Sequence, residues 1–167
     1  MFSKHRLCEF LVKAKRATYA AGDSAVETRN EDHSKTLVFE EGDWKYHDNY
    51  FGGEPYGGRE VVFYKKKPVY MMVYYGAVAD SVSDIKKVYG ILMEALTLIP
   101  NNKPYRGPLV HTSGDFLYKN SSAGGVGDFH GKEVILENGE EIYSAEYIGG
   151  MVDVRKEEEL ISISESE

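Results

Sequence analysis

The sequence has almost none of the features that define several classes of protein. Cys8 is its single cysteine, which excludes an internal disulfide framework and fits a reducing cytoplasm. No apolar run approaches the roughly 20 residues that a membrane-spanning helix needs. The N-terminal residues 1–15 carry too many charges for a secretory signal. We therefore expect a cytoplasmic protein with no membrane segment.

Charged residues are plentiful but unevenly distributed. The 167 residues include 27 acidic and 20 basic side chains, which gives a formal net charge of −7. Residues 153–167 hold six of the acidic and two of the basic side chains, which predicts an acidic tail behind a single, nearly neutral domain at 1–152. Hydrophobic residues make up 42% of the chain, enough for one core. Nucleic acid is not an expected partner of such a chain.

Two stretches of the sequence resemble one another. Residues 58–76 and 131–149 align without a gap. Two copies of one supersecondary unit are the simplest explanation, with the first at about 5–78 and the second at about 81–152. The identical pairs are Gly58/Gly131, Glu60/Glu133, Val61/Val134, Tyr70/Tyr143, Tyr74/Tyr147 and Gly76/Gly149.

The spacing of apolar residues predicts that each unit consists of a helix and two β-hairpins. Apolar residues recur at helical spacing over about 5–20 and about 81–99. The dipeptide Asn138-Gly139 predicts a type I′ hairpin turn, because both residues tolerate positive φ angles. We therefore predict an α+β fold, in which two tandem helix-plus-two-hairpin units form an antiparallel sheet with the helices packed on one face.

Strand alternation assigns side chains to the two faces of the predicted sheet. In the second unit the helix side is expected to receive Val134, Leu136, Tyr143, Ala145 and Tyr147. In the first unit the same register places there Val61, Phe63, Tyr70, Met72 and Tyr74. The opposite face is expected to carry a set of carboxylates and tyrosines, namely Glu60, Tyr64, Tyr75, Glu133 and Glu146.

Five strings of the sequence resemble a known domain family. They run from Phe-Leu-Val-Lys-Ala-Lys-Arg-Ala-Thr-Tyr to Pro-Tyr-Arg-Gly-Pro and lie at 10–19, 41–46, 50–54, 69–76 and 104–108. The family is an uncharacterised bacterial domain of unknown function, some members of which follow a helix-turn-helix DNA-binding module. The resemblance implies a sensor or accessory module and brings no catalytic residues with it. Family members often carry Trp and Asn where this chain has Tyr70 and Val73, so a site built on those positions does not transfer.

Motifs for common catalytic and cofactor chemistry are incomplete. Gly125-Val126-Gly127 lacks the continuation of a dinucleotide-binding loop, and Gly131-Lys132 precedes a predicted strand instead of a helix. The five histidines fall in different predicted elements, without the spacing of metal ligands. The sequence therefore predicts no catalytic residue, no metal site and no cofactor.

The repeated glutamates indicate a ligand-binding cleft on the sheet face opposite the helices. Glu60 and Glu133 each open a strand there, and Glu146, Tyr64 and Tyr75 share the face. If the two units pack about a pseudo-two-fold axis, this face forms a cleft with an apolar floor and carboxylate walls, which suits a planar or cationic small molecule. The rim of the cleft is expected to include Tyr19, Tyr46 and Arg106.

Other interpretations of the same face stay open. The glutamates can be ordinary exposed charges, with the apolar residues between them forming a homodimer interface or a second core layer. The leading hypothesis is a non-enzymatic module that senses or sequesters a small molecule. The alternative is a protein-interaction or homodimerising accessory domain of a transcription-regulator family. An enzyme is the third class, and it would need His111 or His130 beside a carboxylate.

Overall fold

The computed structural model of the chain describes residues 2–18, 20–21 and 26–154. Within these ranges the chain forms two helices and nine strands. The helices are α1 (Lys4–Ala17) and α2 (Ile85–Thr97). The strands are β1 (Glu27–Arg29), β2 (Lys35–Glu41), β3 (Trp44–Gly52), β4 (Tyr56–Tyr64), β5 (Lys67–Val78), β6 (Val110–Ser113), β7 (Phe116–Gly125), β8 (Asp128–Glu137) and β9 (Glu140–Met151).

All nine strands belong to one sheet, in the order β1-β2-β3-β4-β5-β9-β8-β7-β6. Every neighbouring pair is antiparallel. Strands β2 to β5 and β6 to β9 follow one another in hairpin order, and these two halves join where β5 pairs with β9. That pairing runs from Tyr70 opposite Met151 to Val78 opposite Tyr143. The final strand of the described chain therefore lies in the middle of the sheet.

The predicted α+β fold of two helix-plus-two-hairpin units is wrong. The structure is mostly β, because strand residues far outnumber the residues of the two helices. The backbone pairing of β5 with β9 is continuous. It joins into one sheet the strands that the sequence analysis divides between two units. The boundary at 152 stays a prediction, as does the acidic tail, whose residues 155–167 lie outside the described ranges.

Both helices begin at a side-chain cap. The Ser3 hydroxyl accepts a hydrogen bond from Arg6 N at 3.2 Å, and the Asp84 carboxylate accepts one from Lys87 N at 3.1 Å. Helix α2 begins several residues later than predicted, because Asp84 provides its cap. Within the described ranges, neither helix is long and apolar enough to cross a membrane.

The hairpin turn between β8 and β9 has the predicted form. Asn138 and Gly139 have φ angles of 51° and 89°, which are the positive values that a type I′ turn requires. The turn at Gly42, between β2 and β3, also has a positive φ, of 60°. The local signal of Asn138-Gly139 therefore places the β8–β9 hairpin correctly along the chain.

A β-bulge in each of two hairpins reverses part of the predicted face assignment. The β8–β9 ladder shifts after Ile135, which lies opposite Tyr143 instead of Ile142. The β4–β5 ladder shifts in the same way after Val62. Residues of β5 and β9 therefore face the helices as predicted, whereas those of β4 and β8 face the other way. The bulges bury Glu60, Val62, Glu133 and Ile135 beneath the helices, and they turn outward Val61, Phe63, Val134 and Leu136.

The core lies between the helices and one face of the sheet. Helix α1 packs Leu7 and Leu11 against aromatic side chains of β3, β5 and β9. Helix α2 packs Leu92 and Leu96 against β7, β8 and β9. Several of the many tyrosines are fully buried in these clusters, namely Tyr46, Tyr70, Tyr118 and Tyr143. Much of the tyrosine content is therefore core.

Candidate functional site

Five charged side chains are buried in the described part of the chain. Each of them is at most 4% exposed. They comprise three carboxylates and two bases, so one carboxylate lacks a basic partner of its own. The five are Lys15, Asp48, Glu60, Arg106 and Glu133. Because a buried charge without a partner is costly, this ionic cluster is the best candidate for a functional site.

The first ion pair joins Glu133 on β8 to Arg106, which lies between α2 and β6. Arg106 donates from Nε and Nη2 to Glu133 Oε1, at 3.0 and 2.6 Å. The hydroxyls of Tyr118 and Tyr143 donate to the same carboxylate, at 2.6 and 2.9 Å. Four hydrogen bonds satisfy the charge of Glu133, so this pair is a closed structural unit.

The second ion pair joins Lys15 on α1 to Glu60 on β4. Lys15 Nζ lies 2.7 Å from Glu60 Oε2 and donates to the carbonyl of Tyr105 at 2.6 Å. Burial lowers the pKa of Lys15, and the negative charge of Glu60 opposes that shift. Glu60 Oε1 receives no hydrogen bond from the described residues. This pair is therefore less completely satisfied than the first.

The third carboxylate, Asp48 on β3, has no base of its own in the cluster. It lies opposite Glu60 in the β3–β4 ladder, and the Tyr74 hydroxyl donates to its Oδ1 at 2.6 Å. Burial, together with the nearby charge of Glu60, raises the pKa of Asp48 from 3.8 to about 7. Burial and the Asp48 charge in turn raise the pKa of Tyr74, which keeps its hydroxyl protonated as a donor. Asp48 therefore changes charge near neutral pH.

A cavity of about 520 Å³ lies between α2 and the first half of the sheet. Among the three buried carboxylates, Asp48 lines this cavity, whereas Glu60 and Glu133 do not. Helix α2 forms a largely apolar wall, and Arg106 also lines the cavity. Four tyrosines surround it, namely Tyr50, Tyr56, Tyr74 and Tyr89. A ligand in this cavity would meet the carboxylate that has no basic partner.

Further acidic groups lie around the mouth of the cavity. The Tyr50 hydroxyl donates to Glu27, and the Tyr89 hydroxyl donates to Glu54 Oε2 at 2.5 Å. Two basic side chains lie beside Glu27, with Arg29 Nε 3.7 Å and Lys35 Nζ 3.9 Å from its Oε1. Lys35 Nζ also lies 5.3 Å from the centre of the Tyr50 ring. Two bases thus accompany the two glutamates, so the charge without a basic partner at this cavity is that of Asp48.

The structure distributes the predicted site residues over both faces of the sheet. The prediction that Glu60, Glu133 and Tyr64 face away from the helices is wrong, because the two bulges invert β4 and β8. Tyr64 packs against Phe2 and Trp44, with ring centres 5.1 and 4.7 Å away. The cleft that was predicted on the opposite face therefore lacks its two glutamate walls.

Of the remaining predicted residues, the structure brings two together on the open face and separates the others from them. Tyr75 and Glu146 lie on the open face as predicted, opposite one another in the β5–β9 ladder. Tyr46 is fully buried in the core, and Arg106 belongs to the ionic cluster and to the cavity lining. Tyr19 lies outside the described residues. Of the seven predicted residues that the structure describes, Arg106 is the one that lines the cavity beside α2.

Sequence reasoning missed three residues of the site, although weak signals for them exist. Asp48 follows Tyr46 by two positions, so strand alternation places it on the buried face. Tyr74 was placed correctly on the helix side, but as part of the core. Lys15 follows Leu11 by four positions and thus shares the apolar stripe of α1. A long lysine on such a stripe commonly extends to solvent, which is why its burial was not predicted.

As the pH rises from about 5 to about 6.5, we expect the free energy of unfolding to fall by about 2 kcal/mol because of Asp48. The folded protein keeps the proton of Asp48 up to about pH 7, whereas the unfolded chain loses it near pH 3.8. The unfolded state thus binds fewer protons over this interval and gains relative stability as the pH rises. The Asp48→Asn variant keeps an acceptor for Tyr74 and should lose this part of the pH dependence.

Urea denaturation at the two pH values tests this expectation. Asp43→Asn, in the exposed β2–β3 turn, is a matched control and should retain the wild-type dependence on pH. If wild type and Asp48→Asn respond equally to pH, the raised pKa of Asp48 is contradicted.

The fold and the site together define the class of this protein. It is a mostly-β protein of one antiparallel sheet, whose helix-covered face holds a buried ionic cluster beside an open cavity. The chain belongs to the family described as "Domain of unknown function (DUF5680)", whose model matches residues 48–152. That range includes every residue of the ionic cluster except Lys15. No curated protein and no solved structure matches the chain.

Proposed function

We propose that the chain is a non-enzymatic module that binds a small, planar cation in the cavity beside α2. The observation that carries the proposal is Asp48, a buried carboxylate that lines the cavity and has no basic partner in the ionic cluster. Lys15 and Arg106 are each held by another carboxylate. A cationic ligand would supply the positive charge that Asp48 lacks, and the attraction between the two charges would favour binding.

The size and lining of the cavity support a small organic ligand. Its volume of about 520 Å³ falls within the range of roughly 300–1,000 Å³ that is usual for such sites. Leu92, Met93 and Leu96 of α2 form an apolar wall, and the tyrosine rings offer flat surfaces beside it. An apolar wall with one carboxylate and several hydroxyls suits a flat molecule with a single charged end.

Three small probes of equal ring size test the proposal. Benzylamine and benzyltrimethylammonium are cations, and benzoate is an anion. We expect at least one of the two cations to bind in isothermal titration at about pH 8, and benzoate to bind at least tenfold more weakly. Asp48→Asn should weaken cation binding by tenfold or more, and the control Asp43→Asn should leave it unchanged. Equal binding of benzoate, or unchanged cation binding by Asp48→Asn, would show the proposal to be wrong.

The affinity for a cation should also rise with pH. Because burial and Glu60 raise the pKa of Asp48 to about 7, its ionised fraction grows about tenfold between pH 6 and pH 8. Benzyltrimethylammonium keeps its charge at both values, so its affinity follows Asp48 alone. We expect about a tenfold tighter dissociation constant at pH 8, and no such change in Asp48→Asn. If the affinity of the wild-type protein does not change with pH, the cation binds away from Asp48.

A second candidate function is self-association through the open face of the sheet. Val73, Tyr75 and Ile148 are 45–60% exposed there. Val73 lies opposite Ile148 across the join between the two halves, so the patch is continuous. Lys132 lies opposite Glu146 beside it, and a copy related by a two-fold axis can match these opposite charges. A second copy of this chain is therefore the partner we consider for this face.

Light scattering over a range of concentrations tests self-association. The wild-type protein should change from monomer to dimer as the concentration rises, and Ile148→Glu should remain a monomer. The matched control is Leu109→Glu, at an exposed apolar residue that precedes β6. A wild-type monomer at every concentration would exclude the homodimer.

The biological setting belongs to the proposal as well. The role of a sensor beside a helix-turn-helix regulator in bacteria is supported by the resemblance of the five sequence strings alone. An enzyme receives less support: His111 does lie 3.4 Å from Glu94, but neither residue lines the cavity beside α2. The binding module therefore remains the first proposal.

A further inference from the structure

We propose that the protein binds an ordered water molecule in its interior, between the Glu60 carboxylate and the Tyr70 hydroxyl. This water site goes beyond the proposed function and is independent of it, because neither residue lines the cavity beside α2. Three observations support the site. They are two buried polar atoms without a hydrogen bond, the direct bond that the same residue types form in the other half of the sheet, and the balance of charge around Glu60.

Glu60 and Tyr70 each bury a polar atom that has no hydrogen-bond partner among the described residues. These atoms are Glu60 Oε1 and the Tyr70 hydroxyl oxygen. Both side chains are fully shielded from solvent, with 0% of each residue exposed. Burial and then the negative charge of Glu60 raise the pKa of Tyr70, so its hydroxyl keeps the proton and stays a donor. A buried acceptor and a buried donor without partners are costly, and one bridging water satisfies both.

The other half of the sheet shows how the same residue types bond directly. There the hydroxyl of Tyr143 donates to Glu133 Oε1 at 2.9 Å. Tyr70 and Glu60 hold the corresponding places in the β4–β5 ladder, because in both hairpins the glutamate precedes by two positions the residue opposite the tyrosine. In the described part of the chain, however, no direct hydrogen bond joins Tyr70 to Glu60. A water molecule between them gives both carboxylates the same kind of partner.

Aromatic stacking fixes the ring of Tyr70 and opposes a direct bond. The ring is stacked on that of Phe129, with centres 5.9 Å apart and an angle of 16° between the planes. Phe129 is in turn stacked on Tyr105, with ring centres 3.8 Å apart. A tilt of Tyr70 towards Glu60 would disturb this stack. A bridging water completes the hydrogen bonds while the rings keep their packing.

The charges around Glu60 indicate that the bound molecule is neutral. Lys15 Nζ lies 2.7 Å from Glu60 Oε2, so the two residues form a neutral pair. Lys15 would repel a further cation, and Glu60 would repel an anion. Among the described residues, two of the three N–H donors of Lys15 are directed at Glu60 and at the Tyr105 carbonyl, which leaves the third for a water. Water both donates and accepts, as these partners require.

A crystal structure of the full chain and a pair of variants test the water site. The electron density should show a water molecule within hydrogen-bond distance of both Glu60 Oε1 and the Tyr70 hydroxyl. In urea denaturation at about pH 7, Tyr70→Phe should raise the equilibrium constant of unfolding roughly tenfold, because the water and Glu60 lose a hydrogen-bonded partner. The matched control Tyr75→Phe, at a tyrosine of the same strand that is 60% exposed, should leave the constant unchanged.

Two results would overturn the water site. One is electron density in which the Tyr70 hydroxyl bonds directly to Glu60, or in which no water lies between them. The other is a Tyr70→Phe variant at least as stable as the wild type, because the hydroxyl then has no partner in the core. If Tyr70→Phe does not fold, the electron density of the wild-type protein decides alone.

Discussion

Replacing Glu133 with alanine is expected to lower the free energy of unfolding by roughly 3–5 kcal/mol. The substitution leaves Arg106 as a buried cation without its carboxylate and removes the acceptor of the Tyr118 and Tyr143 hydroxyls. All three groups stay away from water in the folded state, so the lost hydrogen bonds are not replaced by solvent. Urea denaturation at about pH 7, followed by circular dichroism, measures the change.

The matched control for this substitution is Glu137→Ala on the same strand. Glu137 is partly exposed, and its ion pair with Lys87 has a separation of 4.0 Å, so we expect a cost below about 1 kcal/mol. Glu133→Gln keeps an acceptor for the tyrosines but loses the charge. Its cost in free energy of unfolding should lie between those of Glu133→Ala and Glu137→Ala. A cost for Glu133→Ala no larger than that of the control would show that the Arg106–Glu133 pair does not stabilise the fold.

Replacing Lys15 with methionine should also cost roughly 3–5 kcal/mol at about pH 8, and clearly less at pH 5. Methionine keeps an apolar stem but removes the ammonium group that pairs with Glu60, so that Glu60 lies opposite Asp48 without its basic partner. Near pH 5 Asp48 holds its proton, because burial and Glu60 raise its pKa to about 7. One of the two negative charges is then absent and the repulsion falls.

Lys13→Met on the same helix is the control for Lys15→Met. Lys13 pairs with Glu41 at 2.9 Å, but both side chains are at least half exposed, and such pairs contribute little. Urea denaturation of both variants at the two pH values provides the comparison. A penalty for Lys15→Met that does not change with pH would mean that Asp48 does not depend on the charge of Lys15.

The hairpins of this fold can be predicted from the sequence, whereas the join between its halves cannot. The Asn138-Gly139 turn depends on two adjacent residues, and local backbone preferences determine it. The pairing of β5 with β9 depends on residues some 70 positions apart, and strand composition alone does not say which strands become neighbours. One sheet therefore emerged where two units were predicted.

The two bulges explain why the face assignment failed on half of the strands. Ile142 and Val69 are the extra residues, and each is an ordinary β-branched residue of a strand. Nothing in their chemistry marks a bulge, yet each inverts the alternation of the strand across the ladder. The same error moved Glu60 and Glu133 from the buried to the open face.

The candidate site was harder to predict than the fold because its residues contradict the usual pattern of burial. Glu60 and Glu133 were expected to open strands, but they lie in the interior of β4 and β8. Glutamates are rarely buried, and the cost of burying each of these two is met by a base distant in sequence. Lys15 and Glu60 are far apart in sequence, as are Arg106 and Glu133. Their pairing follows from the packing of α1 and of the segment after α2 on the sheet.

The central place of β9 also determines how the molecule can be assembled. Until β9 inserts, β5 and β8 are both strand edges with unpaired amide and carbonyl groups along their length. During synthesis, before β9 has emerged from the ribosome, the chain contains two incomplete half-sheets. Each of them is open to pairing with another nascent chain. Closure of the sheet must bring β9 beside β5, some 70 residues earlier in the chain, which makes it slow relative to hairpin formation. Truncation before Glu140 should therefore produce aggregation instead of a smaller folded protein.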